Sequence, residues 1–222
     1  MVATLRWAFL GRLGYADALA LQQRLKRQLI AAPGEHTLLM LEHPPVITCG
    51  RRTNPANVLL SDAELRARGV ERIDVSRGGD VTYHGPGQLV GYPIRRIARA
   101  VRPHVEGMAQ ALVELLAELG IRAWWDDGTP GVWTEQGKIG AVGVDAREGV
   151  AIHGFALNVA PQLAHFALIV PCGLSAPVTS LAALGVTATL SDLATALAPR
   201  IAAAYGEQLL AVDPGALIAG AA

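Results

Sequence analysis

Apolar positions along this chain switch repeatedly between strand-like and helix-like spacing. Leu5 to Phe9 reads as a short strand, and Tyr15 to Ala31 as a helix with Ala18, Leu21, Leu25 and Leu29 on one stripe, ended by Pro33-Gly34. Thr37 to Leu41 and Val46 to Cys49 read as buried strands separated by His43-Pro44-Pro45, with a polar loop from Thr53-Asn54-Pro55. Ser61 and Glu64 form a capping-box pattern that opens a short helix closed by Gly69, and a strand from Val70 to Val75 follows. Leu89 to Ile94 is the next strand. Pro103 suits the first turn of a helix whose stripe, Val105, Met108, Leu112, Leu115 or Leu116, and Leu119, stops at Gly120.

Beyond it, Ile121 to Trp125, Val132 to Thr134, Ile139 to Val144 and Val150 to Val159 read as strands joined by turns at Asp127-Gly128, Gln136-Gly137 and Glu148-Gly149. Links this short favour antiparallel pairing. A C-terminal helix is expected from near Ser191, with Pro199 breaking or kinking it and the Ala/Gly-rich end fraying from about Pro214. No internal repeat or interdomain linker is visible, so the 222 residues read as one domain.

Composition narrows the function classes. Nineteen basic and nineteen acidic residues cancel, which removes the broad electrostatic footprint of a general nucleic-acid or membrane-surface binder. Arg6, Arg12 and Asp17 interrupt the apolar N-terminus, so neither a secretion signal nor a spanning segment is read there and a cytoplasmic protein is expected. Cys49 and Cys172 lie far apart, which favours two free thiols over a disulfide scaffold.

Between two strand-like runs, residues 77 to 88 read Arg-Gly-Gly-Asp-Val-Thr-Tyr-His-Gly-Pro-Gly-Gln. Glycine permits close approach and proline fixes φ, so this stretch reads as a shaped loop that holds polar groups against a ligand. Familiar nucleotide motifs fail: Gly131 to Lys138 has one residue too many for a P-loop and an Ile after its Lys, and Gly85 to Gly91 is one residue too long for a dinucleotide fingerprint. No histidine or cysteine spacing suits a structural zinc site. Cys49 ends an apolar run and reads as a small buried hydrophobe, whereas Cys172 stands between Pro171 and Gly173 where a strand-like segment enters a turn. Lys138 opens a strand whose glycines at 137, 140 and 143 let a ligand or another segment approach closely.

Together with Gly137-Lys138-Ile139, His153-Gly154-Phe155-Ala156-Leu157-Asn158 and Pro171-Cys172-Gly173, the glycine-rich stretch resembles the octanoyltransferase family, also called lipoate-protein ligase B. The resemblance runs in order from Gly50-Arg51-Arg52 to Leu174. It implies an α/β fold of the α+β type, with a mixed, largely antiparallel sheet flanked by helices, as in biotin and lipoate ligase catalytic domains. It further implies transfer of an octanoyl group from octanoyl-acyl carrier protein to a lysine on lipoyl domains of 2-oxoacid dehydrogenase complexes and of the glycine cleavage H protein, without ATP, metal or other cofactor. By motif, Cys172 carries the acyl group and Lys138 lowers the thiol's pKa. Arg77, Gly78, Gly79, Asp80, Val81, Thr82, Tyr83 and His84, Ala141, Val142 and Gly143, and Gly154, Phe155 and Ala156 line the substrate site.

Chemistry adds detail. A free thiol has a pKa of about 8.5, and a nearby ammonium favours its thiolate. Oxyanion donors are expected from backbone N–H groups near Gly78-Gly79 or Cys172-Gly173. Tyr83, Val142, Phe155 and Leu157 would wall an apolar slot, and His84 would orient substrate or Lys138. Asp80, a charge that would disfavour a thiolate, should face solvent or pair with an arginine. Arg51, Arg52, Arg95, Arg96 and Arg99 are candidates to dock an acidic carrier protein. The rivals are an ATP-dependent lipoate ligase, which has no need of the Cys172 thiol, and a catalytically silent acyl-binding module.

Overall fold

The computed structural model describes residues 2–170 and 177–219, so Cys172 lies outside the described residues. Two sheets form. The larger runs through β1 (Thr4–Arg12), β2 (His36–Glu42), β6 (Gln88–Arg96), β7 (Trp124–Asp126), β8 (Gly131–Thr134), β9 (Gly137–Asp145), β10 (Val150–Asn158) and β11 (Gln208–Ala211), in the order β11-β1-β2-β6-β10-β9-β8-β7. The smaller has the order β4-β3-β5 and consists of β3 (Val46–Cys49), β4 (Glu71–Asp74) and β5 (Val81–His84). Pairing in the large sheet is parallel where β1 meets β2 and β11 and antiparallel elsewhere.

Strand alternation sorts the core onto the two faces of that sheet. Leu38 and Met40 of β2 face α3 (Val101–Glu118) and α4 (Leu190–Tyr205), joining Leu112, Leu116, Leu197 and Ile201. Their neighbours Leu39 and Leu41 face α1 (Tyr15–Ala31) and pack with Ala18, Leu25 and Leu29. The small sheet has its own cluster, in which Cys49 is buried beside Ile47, Leu65 and Tyr83. Leu65 comes from α2 (Asp62–Ala67), whose Ser61–Glu64 capping box is formed in both directions. No helix among the described residues is long and apolar enough to cross a membrane.

Several expectations need correction. The glycine-rich stretch is not loop throughout: Val81 to His84 form β5, antiparallel to β3. Pro199 lies inside an unbroken α4, because burial of Ala194, Leu197, Ala198 and Ile201 outweighs the roughly 3 kcal/mol that an interior proline costs. The segment from Pro214 forms α5 (Pro214–Ala219), anchored by buried Leu217. β11 carries no alternation, since all four of its residues are exposed at the sheet edge, and it was not read from the sequence. Trp124, not Ile121, begins β7.

Near the middle of the large sheet, β10 draws away from β6. Their pairing stops at Ala151↔Arg95 and resumes at Phe155↔Gly91, a gap opposite Pro93, which has no N–H to give to a ladder. His153 takes a left-handed conformation there, at φ 61°, and its N–H donates instead to Gln22 Oε1 of α1 at 2.8 Å. Gly154 is required by contact, since a Cβ would strike the Gly91 carbonyl oxygen and Pro93 Cδ. Gly154→Ala is therefore expected to cost about 1–3 kcal/mol by overpacking, read as a lower midpoint in urea unfolding; an unchanged midpoint would contradict this packing.

Candidate active site

A cavity of about 740 Å³ opens where the glycine-rich segment crosses β9 and β10. Arg77, Gly78, Gly79, Asp80, Val81, Thr82 and His84 border it, as do Ala141, Val142 and Gly143 of β9 and Gly154, Phe155 and Ala156 of β10. Lys138 borders it too. Among the described residues no three His, Cys, Asp or Glu side chains are grouped to hold a metal ion.

Lys138 owes its placement to a bulge. Trp133 of β8 faces Lys138 while Val132 faces Gly140, so Ile139 is an extra residue on β9, a device that re-aims side chains. Lys138 Nζ donates to the Pro130 carbonyl at 2.7 Å and lies 5.6 Å from the Trp133 ring centroid. Its backbone N–H donates to Pro177 O at 2.9 Å, and its carbonyl accepts from Thr179 N–H at 3.0 Å. On the other flank, Val170 N–H donates to Asn57 O at 2.8 Å.

Arg77 is a structural cation of the loop. Its buried guanidinium donates to Thr48 O at 2.6 Å, to Thr48 Oγ1 at 2.8 and 3.2 Å and to Gly78 O at 3.1 Å. Gly50 must lack a side chain, since a Cβ would press on Gly79 O and Arg77 Nη1. Gly78 N–H donates to Val144 O at 2.9 Å, so this one of the expected oxyanion donors is committed; the alternative at Cys172-Gly173 lies outside the described residues.

One wall is polar and uncharged apart from Arg77. His43 Nδ1 donates to Leu13 O at 2.8 Å, so its Nε2 accepts the Tyr92 hydroxyl proton at 2.7 Å. Burial pushes His43 down to about 4. Burial, then the charge effects of His43 and Arg77, take His84 to about 3, and burial with Arg77 takes His153 to about 4. All three rings are neutral at pH 7. Tyr15, raised by burial to about 12, keeps its proton. Apolar side chains also line the cavity, among them Val101 and Val105 of α3, Trp125, Val142 and Phe155.

The family model for the lipoyl protein ligase A/B catalytic domain matches residues 14–202. An octanoyltransferase from Solibacter usitatus is 44% identical over 215 residues, 96% of each chain. The chain belongs to the octanoyltransferase family. Two solved structures share its fold. One, described as a lipoate protein ligase from T. acidophilum with bound lipoic acid, has a TM-score of 0.74 at 16% identity over 99% of this chain and 94% of that one. The other, a biotin protein ligase from Aquifex aeolicus in complex with biotin and ATP, has a TM-score of 0.52 at 13% identity over 90% of this chain and 69% of that one.

Within this octanoyltransferase cavity some expected residues are absent. Tyr83 points away: its ring packs edge-on against Phe166 and its hydroxyl meets His165 Nδ1 at 2.6 Å, so it supports the small sheet. Leu157 is fully buried in the core beneath α3 and α4 and does not border the cavity. Asp80 is paired, but by neutral donors and not by an arginine: Asn54 N–H donates to Oδ1 at 3.2 Å and the Asn57 amide to Oδ2. Arg95 is engaged elsewhere, in a part-buried ion pair with Glu207, whereas Arg51 and Arg52 are exposed at the cavity.

Tyr15, His43, Tyr92, Gln88 and Asn158 were not singled out from the sequence as site residues. Tyr15, Tyr92, Gln88 and Asn158 border the cavity, and His43 stands behind Tyr92. A signal existed in His43, two residues beyond the apolar run Leu38–Leu41, and in Gln88 and Asn158 at the ends of the apolar runs of β6 and β10, where both are buried; a polar side chain in such a place needs a partner.

Proposed function

We propose that the protein transfers an octanoyl group from octanoyl-acyl carrier protein to a lysine ε-amine of lipoyl domains, through a thioester on Cys172. The observation that carries the reading is Lys138, set at the cavity by a bulge, with its backbone paired to Pro177 and Thr179 just beyond the segment that holds Cys172. The other flank of that segment is tied down at Val170 by Asn57.

In this reaction the Cys172 thiolate attacks the donor thioester carbonyl. The bond to the carrier's sulfur breaks, and Lys138 gives its proton to the departing thiolate. The incoming lysine amine then attacks the acyl-enzyme, its surplus proton passes to Lys138, and the Cys172 thiolate leaves. The apolar lining of Val101, Val105, Trp125, Val142 and Phe155 suits the acyl chain, whose burial contributes about 0.8 kcal/mol per CH₂. Arg51 and Arg52 at the opening suit an acidic carrier surface.

Incubation with octanoyl-acyl carrier protein should give an adduct of one octanoyl group, seen by mass spectrometry and removed by hydroxylamine. Cys172→Ser should lose it and Cys49→Ser keep it, because Cys49 is buried in the small sheet. A transfer that requires ATP, or an adduct that survives in Cys172→Ser, would sink the thioester mechanism; an adduct that no lipoyl domain discharges would leave an acyl-binding module.

A further inference from the structure

A chain of buried hydrogen bonds fixes which nitrogen of His84 carries its proton. Its direction is read from backbone carbonyls, which can only accept. Thr179 O is approached by Asn158 Nδ2 at 3.0 Å, so the Asn158 oxygen points inward and accepts from Gln88 Nε2 at 2.8 Å. Gln88 Nε2 also lies 3.4 Å from Tyr83 O, a second carbonyl that demands the same orientation. Gln88 Oε1 therefore faces His84 Nδ1, at 2.6 Å, and Nδ1 must donate. In the neutral ring Nε2 is then an unprotonated acceptor at the cavity. It has no hydrogen-bond partner among the described residues. The chain ends at Thr179, whose own N–H donates to the Lys138 carbonyl, so one set of contacts places both His84 and the Lys138 strand.

An acceptor lone pair has definite uses. It repels a thioester oxygen and the oxyanion that forms from it, so His84 is unsuited to stabilise the tetrahedral intermediate. It suits an N–H that must be held while the nitrogen's own lone pair points at the carbonyl carbon. We infer that Gln88 and Asn158 are positioning residues that hold His84 in its Nδ1–H form, so that His84 Nε2 accepts a hydrogen bond from the ε-amine of the acceptor lysine and aims it at the acyl-enzyme. This rests on the acyl-transfer reading above. His84 orients the amine; the amine's proton goes to Lys138.

Two measurements on the full-length protein test it. In ¹⁵N-imidazole-labelled protein, the His84 spin system should show Nδ1 protonated and Nε2 not, and Gln88→Leu should introduce the other tautomer, whereas Gln88→Glu, which keeps an acceptor at that place, should not. In single-turnover kinetics, Gln88→Leu should slow discharge of the acyl-enzyme by a lipoyl domain about tenfold more than it slows acyl-enzyme formation, the worth of one neutral hydrogen bond. Gln88→Glu should recover part of that loss. An Nε2–H tautomer in the wild type overturns the inference, and so does a loss confined to acyl-enzyme formation, which would assign the acceptor to an amide of the donor's carrier arm. Absence of any acyl-enzyme in the wild type removes the acyl-transfer reading itself and the role given to the amine, whatever tautomer the spectra show.

Discussion

Lys138→Ala is expected to lower kcat/KM for octanoyl transfer by about 10²–10⁴-fold, the range for loss of one positioned proton-transfer group. The unfolding midpoint should move little, because the rungs that hold β9 to Pro177 and Thr179 use the backbone of residue 138, not its side chain. Lys138→Arg separates two roles. If position 138 supplied only a positive charge for a thiolate, arginine would serve. A guanidinium does not give up its proton at neutral pH, so acid and base work should both fail and Lys138→Arg should fall near the alanine variant. Gly131 is required by the path of this lysine, since a Cβ there would strike Lys138 Cε. Single-turnover measurement of carrier thiol release and of lipoyl-domain acylation would show both steps slowed. Near-wild-type activity in Lys138→Arg would remove the acid/base role and leave an electrostatic one.

Elements whose signals are local were legible in the sequence. The Tyr15–Ala31 helix and the Ser61 capping box stand where spacing and capping chemistry put them, since a helical stripe and a box of four residues need no distant partner. The cavity was legible where glycines mark close approach, as at Gly143 and Gly154, each of which would meet another segment if given a Cβ. What was missed depends on contacts distant in sequence. Which of two alternating residues on β5 faces the cavity depends on the sheet's register, so Tyr83 was assigned to the site although its ring belongs to the cluster around Ile47 and Ile169. Pro199 is tolerated because of what α4 buries, which its own sequence does not state. The buried histidines were ambiguous for the same reason: His43, His84 and His153 become one neutral wall only when α1, β2, β5, β6 and β10 converge on it.

Glu207→Gln should reduce stability at pH 7 by about 1.5–3 kcal/mol, the worth of hydrogen bonds to a largely buried charge. Arg95 is that charge. Its Nε donates to Glu207 Oε1 at 2.8 Å, its Nη2 reaches the same oxygen, and its guanidinium carbon lies 3.6 Å from the Tyr205 ring centroid. His36 Nδ1 meets the same carboxylate at 2.8 Å. Glu207 follows Gly206, the left-handed residue that ends α4, so the cluster ties the start of β11 to β2 and β6. Burial pushes the Glu207 carboxyl up, but hydrogen bonds from His36 and Arg95 and their charges outweigh it and hold it below the ordinary range. A carboxyl depressed on folding contributes stability that is fully present above its unfolded pKa of about 4.3 and is lost as pH falls through its lower folded value. The gap between wild type and Glu207→Gln should therefore be widest near neutrality and narrow below about pH 4. Urea unfolding at pH 7 and at successively lower pH reads it directly. A gap that stays constant, or widens on acidification, would mean that Glu207 supports the fold by shape and not by charge.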